Sequence, residues 1–173
     1  LHSALDPKAY RKAVALLAES EFIDIFGVEN SLTPAMDLFT KLGYLGLTCR
    51  LNTDAYLQQI GAGHLPHGAV AVAFSHSGSS ADTVKALRLA KSHGAKTIAI
   101  TNAIGAPLAS WADVTLLTGR DSHTIYGNAI FSRVADTALV DMLYMGVILS
   151  DYGRFSTALD ESGRMIRDRV FEN

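Results

Sequence analysis

Short apolar runs alternate with helical segments along this chain, and that alternation constrains the fold more than any other feature. Five runs predict strands, at 22–28, 48–51, 69–74, 97–101 and 114–117. Most are uninterrupted apolar stretches, as expected of strands that helices cover on both faces. The sequence therefore predicts an α/β fold, a doubly wound three-layer sandwich around a five-stranded parallel sheet.

Helical segments separate these strands, and several carry recognisable end signals. Asp6-Pro7 predicts the first helix, because Asp is a good N-cap and Pro suits the first helical position. Further helices are expected at 34–42, 55–61, 81–93, 128–149 and, with Ser156 as the N-cap, 156–170.

Two polar turns follow the first and third predicted strands. In a sheet of order 2-1-3-4-5, ligands bind where the order reverses, between those two strands. Glu29-Asn30-Ser31 is the first turn, and "SHSGSSADT", 75–83, is the second. The second turn carries five hydroxyl side chains in nine residues, whereas an ordinary turn needs one or two. Both turns are expected to face one crevice.

The second turn has the features of an anion site. Gly78 lets the backbone approach a ligand closely, and the helix that follows points its free N–H groups and positive dipole end into the loop. The side-chain donors are Ser75, Ser77, Ser80 and Thr83. Because the loop contains no Lys or Arg, it is expected to bind a phosphate through neutral donors and the helix end. The alternative is that Ser79 and Asp82 only form a capping box.

Composition and charge exclude several classes of protein. The net charge of −2 leaves no electrostatic footprint for nucleic acid. No apolar run approaches the ~18 residues that span a bilayer, and no secretory signal is seen. The single cysteine permits no internal disulfide and fits a reducing compartment. We expect a cytoplasmic protein with no membrane partner, no cofactor and, because His64 and His67 have no third ligand near them, no metal.

Residues 75–119 resemble a SIS domain, the sugar-isomerase fold that binds phosphosugars. The family's S-x-S-G-x-[ST] turn is matched by 75–80, and "ITN…PLA…ADV" from 100 to 114 is equally typical. The resemblance implies a single flavodoxin-like SIS domain over 1–173. It also implies a phosphosugar site, whose residues would be Ser31, Ser75, Ser77, Gly78, Ser80 and Thr83, with Glu29 and Asn30 beside them.

The chain is most similar to the SIS domains of RpiR-type transcription regulators. Residues 1–20 look like their linker helix, and 128–147 like their "SR…L…D.L" helix. In those proteins a helix-turn-helix domain precedes the SIS domain, and it is absent from this chain. The resemblance therefore implies a non-catalytic domain that senses a small phosphorylated sugar or amino sugar. DNA would be bound only through the absent domain.

Two positions bear on what the site could do. Many family members have a second glycine where Glu29 stands, so its carboxylate could narrow the pocket or bind a ligand hydroxyl or amine. In isomerases of this fold an acid after the fifth strand moves the sugar proton, and a histidine helps to open the ring. That makes Asp121 and His123 candidates for an alternative function, a phosphosugar isomerase with Asp121 as base. The surrounding residues do not follow the isomerase pattern.

Three further interpretations stay open at this point. Asn52 and Asp54 could bind sugar hydroxyls or simply cap the next helix. His76 lies within the hydroxyl-rich loop, but its spacing does not decide whether it faces a ligand. The apolar helix 128–149 carries apolar residues on more than one face. We expect part of it to be buried in a homodimer or a higher homo-oligomer, the alternative being a fully buried central helix.

Overall fold

The computed structural model of the chain describes residues 4–119 and 132–167. Its strands are β1 (Ile23–Phe26), β2 (Cys49–Leu51), β3 (Val70–Phe74), β4 (Lys96–Thr101) and β5 (Val114–Leu117). Its helices are α1 (Pro7–Glu19), α2 (Leu32–Tyr44), α3 (Ala55–Ala62), α4 (Ala81–Ser92), α5 (Val134–Ser150) and α6 (Tyr152–Met165), with 3-10 turns at Glu29–Ser31 and Pro107–Trp111. The strands form a parallel sheet in the order β2-β1-β3-β4-β5. The predicted α/β architecture is confirmed, and the strand order is the one that was assumed in placing the crevice.

Helix ends differ from the prediction in several places, and α5 starts only at Val134, so that 132–133 of the predicted helix 128–149 are not helical. The last helix starts earlier than expected, because Asp151 is its N-cap and accepts a hydrogen bond from the Arg154 N–H at 3.1 Å. Ser156 therefore lies inside that helix. The second helix begins at Leu32, so its predicted start, Pro34, is in the first turn, where proline is tolerated. Of the predicted helix 128–149, residues 128–131 lie outside the described part of the chain.

The two faces of the sheet carry side chains of different size. Large residues such as Ile25, Val72 and Ile98 face α1, α2 and α5, and form one core with them. Alanines such as Ala71 and Ala99 face α3 and α4 and form a second core. Small side chains let a helix approach the sheet closely. The start of α4 is thereby held directly beyond the end of β3.

Helix α5 is fixed to α1 by two close contacts. The Tyr10 hydroxyl donates a hydrogen bond to the Met142 carbonyl at 2.6 Å. Gly146 leaves room for that ring, since a Cβ there would lie 2.4 Å from the Tyr10 hydroxyl oxygen. Among the described helices, none is both long and apolar enough to cross a membrane.

Candidate functional site

A cleft of about 530 Å³ opens at the carboxyl ends of β1 and β3, where the strand order reverses. This size suits a small-molecule ligand. The cleft is lined by Val28, Glu29, Asn30, Ser31, Ser75, His76, Ser77, Ser79, Ser80, Asp82 and Arg133. The structure thus brings the two predicted polar turns together. Two residues predicted for the site, Gly78 and Thr83, do not line the cleft. Both contact other groups of the protein instead.

The turn after β1 is held in an unusual conformation. Glu29 has a φ of +50°, a left-handed value that costs free energy for a residue with a Cβ. Gly27 is tightly packed, since a Cβ there would lie 3.0 Å from the Ser31 carbonyl oxygen. The turn places Ser31, 8 % exposed, at the inner wall and Glu29 at the exposed rim.

Gln58 supports this turn from behind, and sequence reasoning missed it. Its side-chain amide donates to the carbonyls of Gly27 at 2.7 Å and Asn52 at 2.8 Å, and its oxygen accepts from the Gly27 N–H at 3.2 Å. At 2 % exposure it is a buried polar side chain with its hydrogen bonds made inside the protein. A glutamine on the inner face of a predicted helix is the signal that could have found it.

The turn after β3 is built around Gly78. Its φ is +62°, and a Cβ there would lie 2.3 Å from the Ala106 Cβ and 2.8 Å from the Thr101 Oγ1. Its N–H donates to the Ser75 carbonyl, and its own carbonyl accepts from the Leu108 N–H, both at 2.9 Å. The close approach that glycine permits here is to the loop after β4.

The first turn of α4 is left open toward the cleft. Ser80 is the N-cap, and its side chain makes no capping hydrogen bond. Thr83 is fully buried, and its hydroxyl donates to the Ser80 Oγ at 3.3 Å. The alternative capping box is not formed, because Ser80 takes the N-cap position and the Asp82 carboxylate accepts from the Gln59 side chain at 3.0 Å. Helix N–H groups without a side-chain cap are suited to an anion.

His76 and the start of α5 complete the cleft. His76 lines it, and its Nδ1 lies 4.0 Å from Oδ2 of Asp136, a carboxylate that is buried on α5. Burial lowers the pKa of His76 below its usual 6.5, nearby Arg133 lowers it further, and Asp136 opposes both. The imidazole is therefore neutral at pH 7.

Arg133 also lines the cleft, although it is not among the predicted site residues. It stands at the N-cap of α5. Its Nε and Nη1 atoms are buried, and neither has a hydrogen-bond partner within residues 4–119 and 132–167. Sequence reasoning missed Arg133 because it lies far along the chain from the hydroxyl-rich loop. Only the packing of α5 brings the two together.

Other predicted residues lie elsewhere. Asp54 is the N-cap of α3 and accepts from the Leu57 N–H at 2.9 Å, and neither it nor Asn52 lines the cleft. Asp121 and His123 lie outside the described residues. No group of three His, Cys, Asp or Glu side chains is placed to hold a metal ion in the part of the chain that the structure describes.

A doubly wound α/β domain with a donor-lined cleft at its switch point belongs to a recognised class of ligand-binding domains. The chain belongs to the SIS domain family, whose model matches residues 16–146. Its SIS domain is of the type found in RpiR-family transcription regulators, as its curated relatives indicate.

Those relatives are regulators that are longer than this chain. An uncharacterised HTH-type transcriptional regulator of Caldanaerobacter subterraneus is 30 % identical over 171 residues, which are 99 % of this chain and 61 % of that protein. The HTH-type transcriptional regulator RpiR of Escherichia coli is 26 % identical over 143 residues, 83 % of this chain and 48 % of that protein. The chain thus spans about half to three-fifths of their length.

Solved structures share the fold. The structure of Vibrio vulnificus NanR complexed with ManNAc-6P is similar over 99 % of this chain and 64 % of the NanR chain, with a TM-score of 0.91 and 24 % identity. The sugar isomerase domain of an RpiR transcription factor from Sphaerobacter thermophilus is similar over 94 % of this chain and 89 % of its own chain, with a TM-score of 0.84 and 24 % identity. A putative phosphosugar isomerase from Bacteroides fragilis is similar over 88 % of this chain and 86 % of its own chain, with a TM-score of 0.72 and 24 % identity.

Proposed function

We propose that this chain is the phosphosugar-sensing SIS domain of an RpiR-type regulator, and that the sugar phosphate binds in the cleft without being turned over. The observation that carries the proposal is the open N-terminus of α4 beside the hydroxyl-rich loop. Ser80 makes no capping bond there, and Ser75, Ser77 and Ser31 add donors around it. NanR, which has the same fold, was crystallised with a phosphosugar.

The two ends of the cleft suit the two ends of such a ligand. The phosphate would lie at the first turn of α4, where N–H groups and serine hydroxyls converge. The sugar would extend toward Glu29 and Asn30 on the exposed rim. A carboxylate at that rim accepts hydrogen bonds from hydroxyls and attracts an ammonium group. An amino-sugar phosphate is therefore the ligand class that the rim favours.

The test is a thermal-shift panel that compares phosphosugars with their unphosphorylated parents. Glucose 6-phosphate, glucosamine 6-phosphate and ManNAc-6P would be measured beside glucose, glucosamine and N-acetylmannosamine. A ligand at a hundred times its dissociation constant adds about 2.7 kcal/mol of stability, which raises Tm by roughly 5–10 °C in a chain of this size. Equal shifts for phosphates and parents would rule out a phosphate site.

Serine variants locate the site. Ser77→Ala with Ser80→Ala removes two hydroxyls that line the cleft. Hydrogen bonds to charged groups contribute about 1.5–3 kcal/mol each, so Kd for the best phosphosugar should rise at least tenfold. Ser92→Ala, at the exposed far end of α4, is the matched control and should bind within twofold of the natural protein.

An isomerase is the second candidate, because neighbours of this fold include putative phosphosugar isomerases. Asp121 would be its base. The best-binding phosphosugar would be incubated with the protein, and its isomer would be sought by chromatography. If the natural protein converts the phosphosugar and Asp121→Asn does not, the protein is an enzyme and the proposal of a non-catalytic sensor is wrong.

We also propose that the protein is a homodimer and that the outer face of α5 is buried in it. Val134 and Leu149 on that face are 74 % and 68 % exposed, and Met142 and Met145 lie on it too. Leu139 and Leu143 are buried on the inner side, so the helix is not covered all round by its own chain. Sedimentation equilibrium should give a dimer, and Met145→Glu should shift it toward monomer. A monomeric natural protein at micromolar concentration would refute the proposal.

A further inference from the structure

Arg133 is the only arginine or lysine among the residues that line the described part of the cleft. Its Nε and Nη1 atoms are shielded from solvent and lack a hydrogen-bond partner in the described ranges. Buried polar groups in native proteins are nearly always hydrogen-bonded, and a buried cation without a partner is costly. Among the described residues, these two nitrogens are therefore available to a ligand in the cleft.

The carboxylates nearby do not fill that role. Glu29 and Asp82 also line the cleft, but neither forms an ion pair with Arg133. Asp136, one turn further along α5, faces the His76 imidazole, whose Nδ1 lies 4.0 Å from its Oδ2. Asp82 is occupied by the Gln59 amide. Arg133 therefore keeps its charge directed at the cleft.

The charge of Arg133 reaches the hydroxyl-rich loop. It lowers the pKa of His76, which lies within that loop between Ser75 and Ser77. Serine hydroxyls and helix N–H groups are neutral donors, whereas a phosphate monoester carries up to two negative charges. A guanidinium presents its N–H groups in a planar fork that matches phosphate oxygens and supplies the missing positive charge.

We propose that Arg133 binds the anionic group of the ligand directly, so that a phosphomonoester bridges the first turn of α4 and the start of α5. This inference rests on the proposed phosphosugar site. The ligand would then link α4 and α5, which lie on opposite faces of the sheet. Helix α5 is in turn joined to α1 by the hydrogen bond between Tyr10 and Met142. The ligand must be anionic to fill the cleft.

The test compares Arg133→Gln with Arg133→Lys and with Arg88→Gln, which makes the same charge change on the exposed side of α4. Calorimetry with ManNAc-6P and glucose 6-phosphate should give a Kd about 10- to 100-fold weaker for Arg133→Gln. Arg133→Lys, which keeps the charge but loses the fork, should lie between. Arg88→Gln should match the natural protein. The Tm of ligand-free Arg133→Gln should be unchanged or higher, because two buried guanidinium nitrogens without hydrogen-bond partners have been removed.

Inorganic phosphate separates failure of this inference from failure of the proposed function. At equal ionic strength it should raise the Tm of the natural protein and of Arg88→Gln, but not of Arg133→Gln. If the Kd values of Arg133→Gln and Arg133→Lys for the phosphosugars stay within twofold of that of the natural protein, the proposed role of Arg133 is wrong. The phosphosugar site would still stand in that case. Arg133-dependent stabilisation by phosphate without binding of any phosphosugar would refute the sugar class alone. A natural protein that responds to neither probe would refute both.

Discussion

Nδ1 of His76 lies 4.0 Å from Oδ2 of Asp136, and this pair joins the loop after β3 to the first turn of α5. Asp136 is 5 % exposed and His76 lines the cleft. Arg133 acts on the same imidazole from the N-cap of α5. His76 thus lies between the cleft and α5, and its NMR signals are expected to report on both.

The titration of His76 should respond in opposite directions to its two charged neighbours. Burial and Arg133 hold its pKa below 6.5, while Asp136 raises it. Removing the positive charge with Arg133→Gln should therefore raise the pKa, and removing the negative charge with Asp136→Asn should lower it further. NMR titration of the imidazole protons measures both shifts. Shifts of the same sign in the two variants would contradict the arrangement.

The same histidine should make the folded protein sensitive to mild acid. Because its pKa is lower in the folded state than in the unfolded chain, the unfolded state takes up a proton first as the pH falls below about 6.5. The free energy of unfolding should therefore decline from pH 7 downward, and His76→Gln should flatten that decline. Urea unfolding at several pH values measures it. The exposed His93→Gln is the control, and an equal flattening there would refute the assignment.

Replacing Glu29 with glycine should stabilise the protein. Its φ of +50° is strained for any residue with a Cβ, and relief of that strain is expected to contribute about 1 kcal/mol, or roughly 2–4 °C in Tm. Glu29→Ala removes the same carboxylate but keeps the Cβ, so it should show no such gain. Equal Tm values for the two variants would mean that the backbone at this position is not strained.

Replacing Gly78 with alanine should be far more damaging than the same change at Gly94. Both have positive φ, +62° and +87°, but only at Gly78 would the new Cβ meet other atoms, at 2.3 and 2.8 Å. Strain alone costs about 1–2 kcal/mol, expected at both sites. Overpacking adds about 1–3 kcal/mol at Gly78. Denaturant unfolding gives the difference, and similar losses at the two sites would show that the loop after β4 can move away.

The region around the hydroxyl-rich loop could be predicted well because its signals are local. A buried strand, a hydroxyl-rich turn with one glycine and a helix start follow one another in 69–83, and the family turn motif lies within them. The structure confirms β3, α4 and their meeting with the turn after β1. The direction of individual side chains was not predictable, since Thr83 turns inward to Ser80 and Gly78 packs on Ala106.

The order of apolar runs and helix signals was by itself sufficient to determine the α/β class and the places along the chain where polar turns follow strands. These follow from periodicity and from end signals that act over a few residues. Only the tertiary structure decided that Arg133 enters the cleft and that Gln58 supports the turn after β1. Both contacts join elements distant in the chain, and such contacts depend on how whole helices pack against the sheet.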